Sequence, residues 1–206
     1  APQLTARADC DHHFKVTALN ATLAYRAQYP LNRYQGDTCT VTGSESYTMS
    51  SRDSGQAVDG SVNDLLGFIA APYHLDGGTV DYSDPCAYPS ASEDPCQSSI
   101  TPDDGTLSVQ ISHTSGAADA TVGFLAYART GEGDIACPDS FGDDWVSGDD
   151  HWVNAEVPWS ELTGKQPFTI TASDSPSDAL RSVSRQVSIT LQPVDVDGTP
   201  LSGAGT

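Results

Sequence analysis

Apolar residues recur at every second position along much of this chain, and this alternation restricts the fold more than any other feature of the sequence. Leu107, Val109 and Ile111 share one parity in "TLSVQIS", and similar patterns occur in "TCTVTGSESYTM", "ATVGFLAYA", "PFTITAS" and "SVSRQVSITLQ". Successive side chains of an extended strand point to opposite faces, so each pattern predicts a strand with one apolar face. Clusters of Asp, Gly, Ser and Pro separate these segments, as turns do. The sequence therefore predicts an all-β fold.

The number and spacing of these segments predict an antiparallel β-sandwich of about eight strands, with an immunoglobulin-like arrangement as one form of it. One domain over residues 9–198 is expected, between flexible ends at 1–8 and 199–206. One or two short helical turns are expected. "SVNDLLGFIA" could form one of them, capped by Ser61 or Asn63. "VPWSELTG" could form another, with Pro158 at its start and Trp159 packed beneath it.

The first long segment, "HHFKVTALNATLAYRAQY", changes parity part-way along. Phe14 and Val16 lie on even positions, whereas Leu19, Leu23 and Tyr25 lie on odd ones. One extra residue in a strand produces such a switch. We therefore predict a β-bulge or a change of sheet near residues 19–20.

The charge of the chain excludes some partners. The 206 residues carry a net charge of −19, with only nine Lys and Arg. Nucleic-acid binding depends on Lys and Arg contacts with phosphate, so no nucleic-acid partner is expected. The longest apolar run, "LLGFIAAPY", is far too short to span a bilayer, so no membrane insertion is expected. Asp outnumbers Glu 23 to 5, which favours loops over helices.

Five cysteines in a small acidic β-type chain indicate an oxidising compartment. The chain begins "APQLTARADC", without Met or an apolar signal core. We interpret it as a secreted or cell-surface protein in its mature form, after removal of a signal peptide.

Two disulfide bonds are predicted. Cys86 and Cys96 flank a loop rich in Pro, Ser and acidic residues, which a disulfide would hold together. Cys10 and Cys39 are paired on the condition that the chain turns near residues 19–20, since a plain hairpin would place them far out of reach. Pairing of Cys39 with Cys137 is the close alternative, and Cys137 is otherwise the odd thiol.

The acidic stretch "CPDSFGDDWVSGDDHW", residues 137–152, is the main candidate site. Trp side chains stack on sugar rings, so Trp145 and Trp152 are candidate glycan-binding residues. Oxygen-rich loops bind calcium, although the spacing here does not fit an EF-hand. The candidate calcium ligands are Asp143, Asp144, Asp149 and Asp150. A solvated loop is the default interpretation in a chain so rich in Asp.

Two shorter motifs are weaker candidates. "DVDGT" places Asp195, Asp197 and Gly198 as in half a calcium loop, but the same residues make an ordinary turn. "CDHHF" places His12 and His13 on opposite faces of a strand, where they cannot easily bind one ion.

No nucleophile elbow, zinc-protease motif or complete dinucleotide loop is present in the sequence. We therefore predict a non-catalytic binding or structural role without a cofactor, with a glycan or an extracellular protein as partner. The alternatives are a carbohydrate-active enzyme and a calcium-dependent glycan-binding module, both using residues 137–152.

Overall fold

The computed structural model describes residues 11–32, 38–83, 96–100, 102–125, 153–175 and 181–201. These residues form strands almost throughout, which confirms the predicted all-β class. In chain order the elements are β1 (His12–Asn32), β2 (Thr38–Ser51), β3 (Gly60–Val62), β4 (Leu66–Ser83), β5 (Cys96–Ile100), β6 (Asp103–His113), β7 (Asp119–Leu125), β8 (Val153–Pro158), α1 (Trp159–Leu162), β9 (Phe168–Asp174) and β10 (Arg181–Val194).

The described strands belong to one antiparallel sheet, in the order β8-β7-β6-β4-β2-β1-β10-β9. At one end β3 replaces β2 between β1 and β4, while β5 pairs with β4 beyond the end of β6. The two ends of this order, β8 and β9, approach within 8 Å between Cα atoms. The sheet thus closes into a small barrel, and the predicted sandwich with its immunoglobulin-like form is not confirmed.

The inward side chains of the closed sheet form one hydrophobic core. Strands β6, β7, β9 and β10 contribute the positions that the alternation predicts. The innermost side chains, each at most 1% exposed, include Phe14, Leu19, Ile69, Leu107, Val109, Ile111, Val122, Phe124, Leu162, Ile189 and Leu191. Alternate residues of the same strands are mostly Ser, Thr, Asn and Gln and face outward.

The parity switch of β1 is a β-bulge, but it lies earlier than predicted. The register with β10 shifts between Val16 and Ala18, so the bulged residue is Thr17 rather than a residue at 19–20. Val16 and Leu19, three positions apart, are both buried. Two small alanines, Ala18 and Ala21, made the position of the switch hard to read from the sequence.

The chain does not turn within β1, and this removes the argument for pairing Cys10 with Cys39. Leu31 of β1 lies opposite Cys39 in an uninterrupted hairpin with β2. At about 3.3 Å per residue, the strand between His12 and Leu31 is roughly 60 Å long, far beyond disulfide reach. Cys10 and the side chain of Cys39 lie outside the described residues, so their pairing stays a prediction. The turn near residues 19–20 on which that prediction depended is absent from β1.

One of the two predicted helical turns is present. Helix α1 is a single turn that begins after Pro158, and Gly164 follows its end. The helix predicted in "SVNDLLGFIA" is wrong, because residues 60–69 form a β-hairpin between β3 and β4. Asn63, which could have capped a helix, instead caps the hairpin turn through its side-chain oxygen.

The bulge in β1 depends on a buried carboxylate. Oδ2 of Asp59, a residue only 8% exposed, accepts the backbone N–H of Val16 at 2.7 Å. Replacing Asp59 by Ala should lower the free energy of unfolding by about 2 kcal/mol, because it leaves a buried N–H without an acceptor. Urea denaturation measures this loss. Asp59→Asn keeps an acceptor oxygen and should lose less than half as much; equal losses would contradict the acceptor role.

Candidate binding surface

The glycan and calcium candidates of the sequence fall outside the described residues. Trp145 and Trp152 belong to residues 126–152, which the structure does not describe. The same holds for the four candidate calcium ligands, Asp143, Asp144, Asp149 and Asp150. Cys86 and Cys137 are also outside, and Cys96 is described only as backbone in β5. The glycan, calcium and Cys86–Cys96 hypotheses therefore stay predictions.

The "DVDGT" motif forms a hydrogen-bonded turn. Oδ1 of Asp195 accepts the backbone N–H groups of Asp197 and Thr199 at 3.1 and 2.9 Å. Oδ1 of Asp197 accepts the Thr199 hydroxyl at 2.6 Å, and this bond is the main reason that the pKa of Asp197 lies below its usual value. Gly198 has a φ of 85°, in the left-handed region that favours glycine. The Oδ1 atoms of both aspartates thus accept hydrogen bonds from within the turn, in agreement with the interpretation of this motif as an ordinary turn.

His74 and Asp104 form a histidine–carboxylate pair on the surface, and their contacts are those of a surface network. Nδ1 of His74 lies 2.8 Å from Asp104, and Nη1 of Arg52 lies 3.2 Å from the other oxygen of the same carboxylate. The hydrogen bond with His74 is the largest cause that lowers the pKa of Asp104. All three side chains are well exposed, so this cluster is a solvated surface network, which contributes little to stability.

An open cavity lies at the end of the sheet where β1 begins and β10 ends. Its volume is about 250 Å³, and Asp11, His12, His13 and Leu201 are among the residues that line it. Nε2 of His13 is buried without a hydrogen-bond partner among the described residues. Ligand pockets are usually about 300–1,000 Å³ in volume, so this cavity is small for a ligand site.

The strongest departure from the alternating pattern is an exposed apolar surface on the β3–β4 hairpin. Leu65 is 58% exposed, Leu66 40% and Phe68 54%. Leu66 and Phe68 share the outward face of β4, and Leu65 lies in the turn beside them. We call these three residues the hairpin patch. Exposed apolar residues that cluster together can mark an interaction site, whereas singly scattered ones are ordinary.

The neighbouring outward positions show that the hairpin patch is local. In the register of the sheet, Phe68 lies between Ser61 of β3 and Gln110 of β6, and Leu66 lies opposite Ser112. These neighbours are polar, as an outward face requires. The polar outward face of the sheet is therefore interrupted only locally, at two positions of β4 and at one position of the adjoining turn.

The hairpin turn is built to hold its shape. Oδ1 of Asn63 accepts the backbone N–H groups of Leu65 and Leu66 at 2.9 and 3.0 Å, and the Asn63 N–H donates to the Leu66 carbonyl. A side chain at Gly67 would lie 2.4 Å from Cγ2 of Val62, so only glycine allows the two strands to approach so closely. The turn thus presents the hairpin patch on a fixed backbone.

His113 fastens this turn to the rest of the molecule. Its backbone N–H donates to the Leu65 carbonyl at 2.9 Å, and its Nδ1 lies 3.0 Å from the Asp64 carbonyl oxygen. Nε2 lies 3.0 Å from the carbonyl oxygen of Ala117, in the turn between β6 and β7. One side chain therefore joins two turns at the same end of the sheet.

Trp159 supports His113 from one side. The two rings are stacked at 3.9 Å between centroids with an interplanar angle of 2°, while His12 meets the indole edge-on at 6.4 Å. Trp159 is partly buried and packs against the core, as predicted for this residue. Its ring stacks on His113, so it packs against the side chain that holds the hairpin turn.

The sequence did not predict the hairpin patch or its anchor. The sequence favours a helical turn in this segment, and in a helix Leu66 and Phe68 do not share a face. A signal was present: Leu66 and Phe68 have the parity opposite to Ile69 and Ala71, so a strand there must expose one apolar pair. His113 had no sequence signal, because its partners are carbonyl groups of the backbone.

Comparison of the chain with models of protein families, with curated proteins and with solved structures found no match.

In the part of the chain that the structure describes, no helix has the length and apolar character needed to cross a bilayer.

The same part contains no group of three or more His, Cys, Asp or Glu side chains placed to bind a metal ion.

Proposed function

We propose that this chain is a secreted or cell-surface domain without catalytic activity that binds a protein partner through the hairpin patch. The partner would present an apolar surface edged by Lys and Arg residues. The observation that carries the proposal is the exposure of Leu65, Leu66 and Phe68 on a turn held by Asn63 and His113. A preformed apolar surface loses little conformational entropy on binding.

The charge of the chain selects the kind of partner. A second copy would itself carry a net charge of −19, and two chains of like charge repel each other. Asp64 lies in the same turn as Leu65 and is exposed, so a cationic rim on the partner would complement this surface. A basic partner is therefore favoured over self-association.

Composition supports the extracellular location. Five cysteines in a small β-type chain are typical of proteins of oxidising compartments.

A phage-displayed peptide library selected on the wild-type chain tests the proposal. Selection should enrich peptides that combine aromatic or aliphatic residues with Lys or Arg. Phe68→Ser should lower the affinity of a selected peptide at least about tenfold, as expected for a residue at the centre of an interface. The free energy of unfolding should change by no more than about 1 kcal/mol, because Phe68 is already exposed.

Val196→Ser is the matched control, since Val196 is 71% exposed and lies outside the hairpin patch. This variant should bind the selected peptide as the wild type does. Three results would overturn the proposal: unchanged affinity in Phe68→Ser, selected peptides without basic residues, or a stability loss in Phe68→Ser as large as that of a core substitution. Dimerisation through the patch, detected by light scattering, would overturn the choice of a basic partner.

A further inference from the structure

We propose that protonation of His113 controls the hairpin patch, so that partner binding weakens when the ring loses its second proton at higher pH. This inference rests on the proposed function for its consequence, but the structural coupling stands independently of any partner. Its basis is the placement of one ring between two backbone carbonyls of different turns.

A neutral imidazole cannot satisfy both contacts. It carries one N–H and one lone pair, whereas Nδ1 and Nε2 of His113 each lie 3.0 Å from a carbonyl oxygen. Only the imidazolium donates to both oxygens. In the neutral ring, one lone pair would face the oxygen of Asp64 or Ala117 at hydrogen-bond distance, where it repels.

The stacked indole also favours the charged ring. A cation placed over the face of Trp is attracted by the negative face of its π-system. The rings of His113 and Trp159 are parallel and 3.9 Å apart, which is close contact. In agreement with this geometry, the hydrogen bonds to the carbonyls of Ala117 and Asp64 raise the pKa of His113 above its usual value of 6.5.

Several charged or titratable residues belong to the elements around this ring. Asp64 in the β3–β4 turn favours the imidazolium through its charge, whereas burial of the ring opposes it. His12 of β1 contacts the indole of Trp159, with the two rings perpendicular and 6.4 Å apart between centroids. Asp119 at the start of β7 and Glu161 of α1 are both exposed. Among these groups, the charge that acts on the ring is the Asp64 carboxylate, which favours protonation.

Loss of the second proton should release the hairpin side of the anchor. The bond to Ala117 lies within the five residues 113–117, while the bond to Asp64 joins the end of β6 to the β3–β4 turn, which is distant in the sequence. The neutral ring should therefore keep its hydrogen bond to Ala117, because that bond joins residues close in the sequence. The Asp64 carbonyl would then lose its donor, and Leu65 would be held by the backbone bond from His113 and by Asn63 alone.

The sign of the pH dependence follows from the raised pKa. The stabilising contribution of the imidazolium is fully present below the ordinary value of 6.5 and is lost as the pH rises through the higher pKa of the folded protein. The hairpin patch is therefore held most firmly in mildly acidic solution.

Nuclear magnetic resonance of the full chain tests the coupling without a partner. With ¹⁵N-labelled histidine, both ring nitrogens of His113 should carry protons at pH 6, and the backbone amides of Leu65 and Leu66 should shift with the same midpoint as the ring. A single ring proton on His113 at pH 6, or amides that do not follow the ring, would overturn the proposal.

Affinity for the selected peptide tests the consequence. In the wild type it should fall by about fivefold or more across the titration of His113, the lower end of typical coupling between sites. His113→Gln should bind weakly at every pH, while His74→Gln, which changes a surface histidine elsewhere, should keep the wild-type pH profile.

The two proposals fail in different ways. If the amides follow His113 but no peptide binds at any pH, the proposed function is wrong and the coupling stands. If the peptide binds with the same affinity throughout the titration, the regulation is wrong and the binding function stands. Because the titration is measured on the wild type, poor folding of His113→Gln would not affect either conclusion.

Discussion

Replacing Asp174 by Ala should lower the free energy of unfolding by about 3 kcal/mol, the lower end of the range for breaking a buried ion pair. Arg185 lies on the inward face of β10, with only 6% of its side chain exposed. Its Nε donates to Oδ1 of Asp174 at 2.8 Å and its Nη2 to Oδ2 at 2.5 Å. Because Asp174 is 32% exposed, water can partly replace the carboxylate, and the full range is not expected.

Urea denaturation of three variants distinguishes charge from packing. Asp174→Asn keeps one acceptor oxygen and should lose less stability than Asp174→Ala. The double variant Arg185→Met, Asp174→Leu should lie within about 1 kcal/mol of the wild type, since apolar replacement of a buried pair is often neutral or stabilising. A loss below about 1 kcal/mol in Asp174→Ala would show that other acceptors hold Arg185 well enough.

Replacing Phe14 by Ala should lower the free energy of unfolding by about 4 kcal/mol, in the usual range for a large buried aromatic. Phe14 is fully buried, and its ring meets that of Phe168 edge-on at 6.0 Å. Its carbonyl also accepts the backbone N–H of Asp59, next to the bulge. Relaxation around a deletion here is restricted by β3 and β10 on either side of β1.

Phe168→Ala is the matched comparison, because it removes the partner ring at a position that is only partly buried. Its loss in thermal or urea denaturation should be clearly smaller than that of Phe14→Ala. Equal losses would mean that the two rings act mainly as a pair, and the assignment of Phe14 as the larger contributor to the core would be wrong.

The strands could be predicted from the sequence because burial in a sheet has a period of two. Val187, Ile189 and Leu191 reveal the inward face of β10 wherever that strand lies in the fold. Arg185 was visible as an interruption of this face. Its partner Asp174 was not, since the pairing depends on the register between β9 and β10.

The closure of the sheet and the candidate surface could not be predicted in the same way. Alternation states which face is buried, but a sandwich and a closed sheet require the same inward residues. Asn63 is favourable both at a helix start and in a hairpin turn, so the local sequence did not decide between them. The role of His113 depends on two carbonyl groups that any residue could have supplied.

The position of the last described strand has a consequence for synthesis of the chain. β10 pairs along its whole length with residues 13–27 of β1 and lies between β1 and β9, so a late element occupies an interior place in the sheet. During translation this edge of β1 stays unpaired until β10, more than 150 residues later in the chain, has been synthesised. Such long-range pairing slows folding and prolongs exposure of unpaired strand edges. A product ending before Arg181 would lack an interior strand and leave two open edges, so it should aggregate rather than persist as a shortened domain.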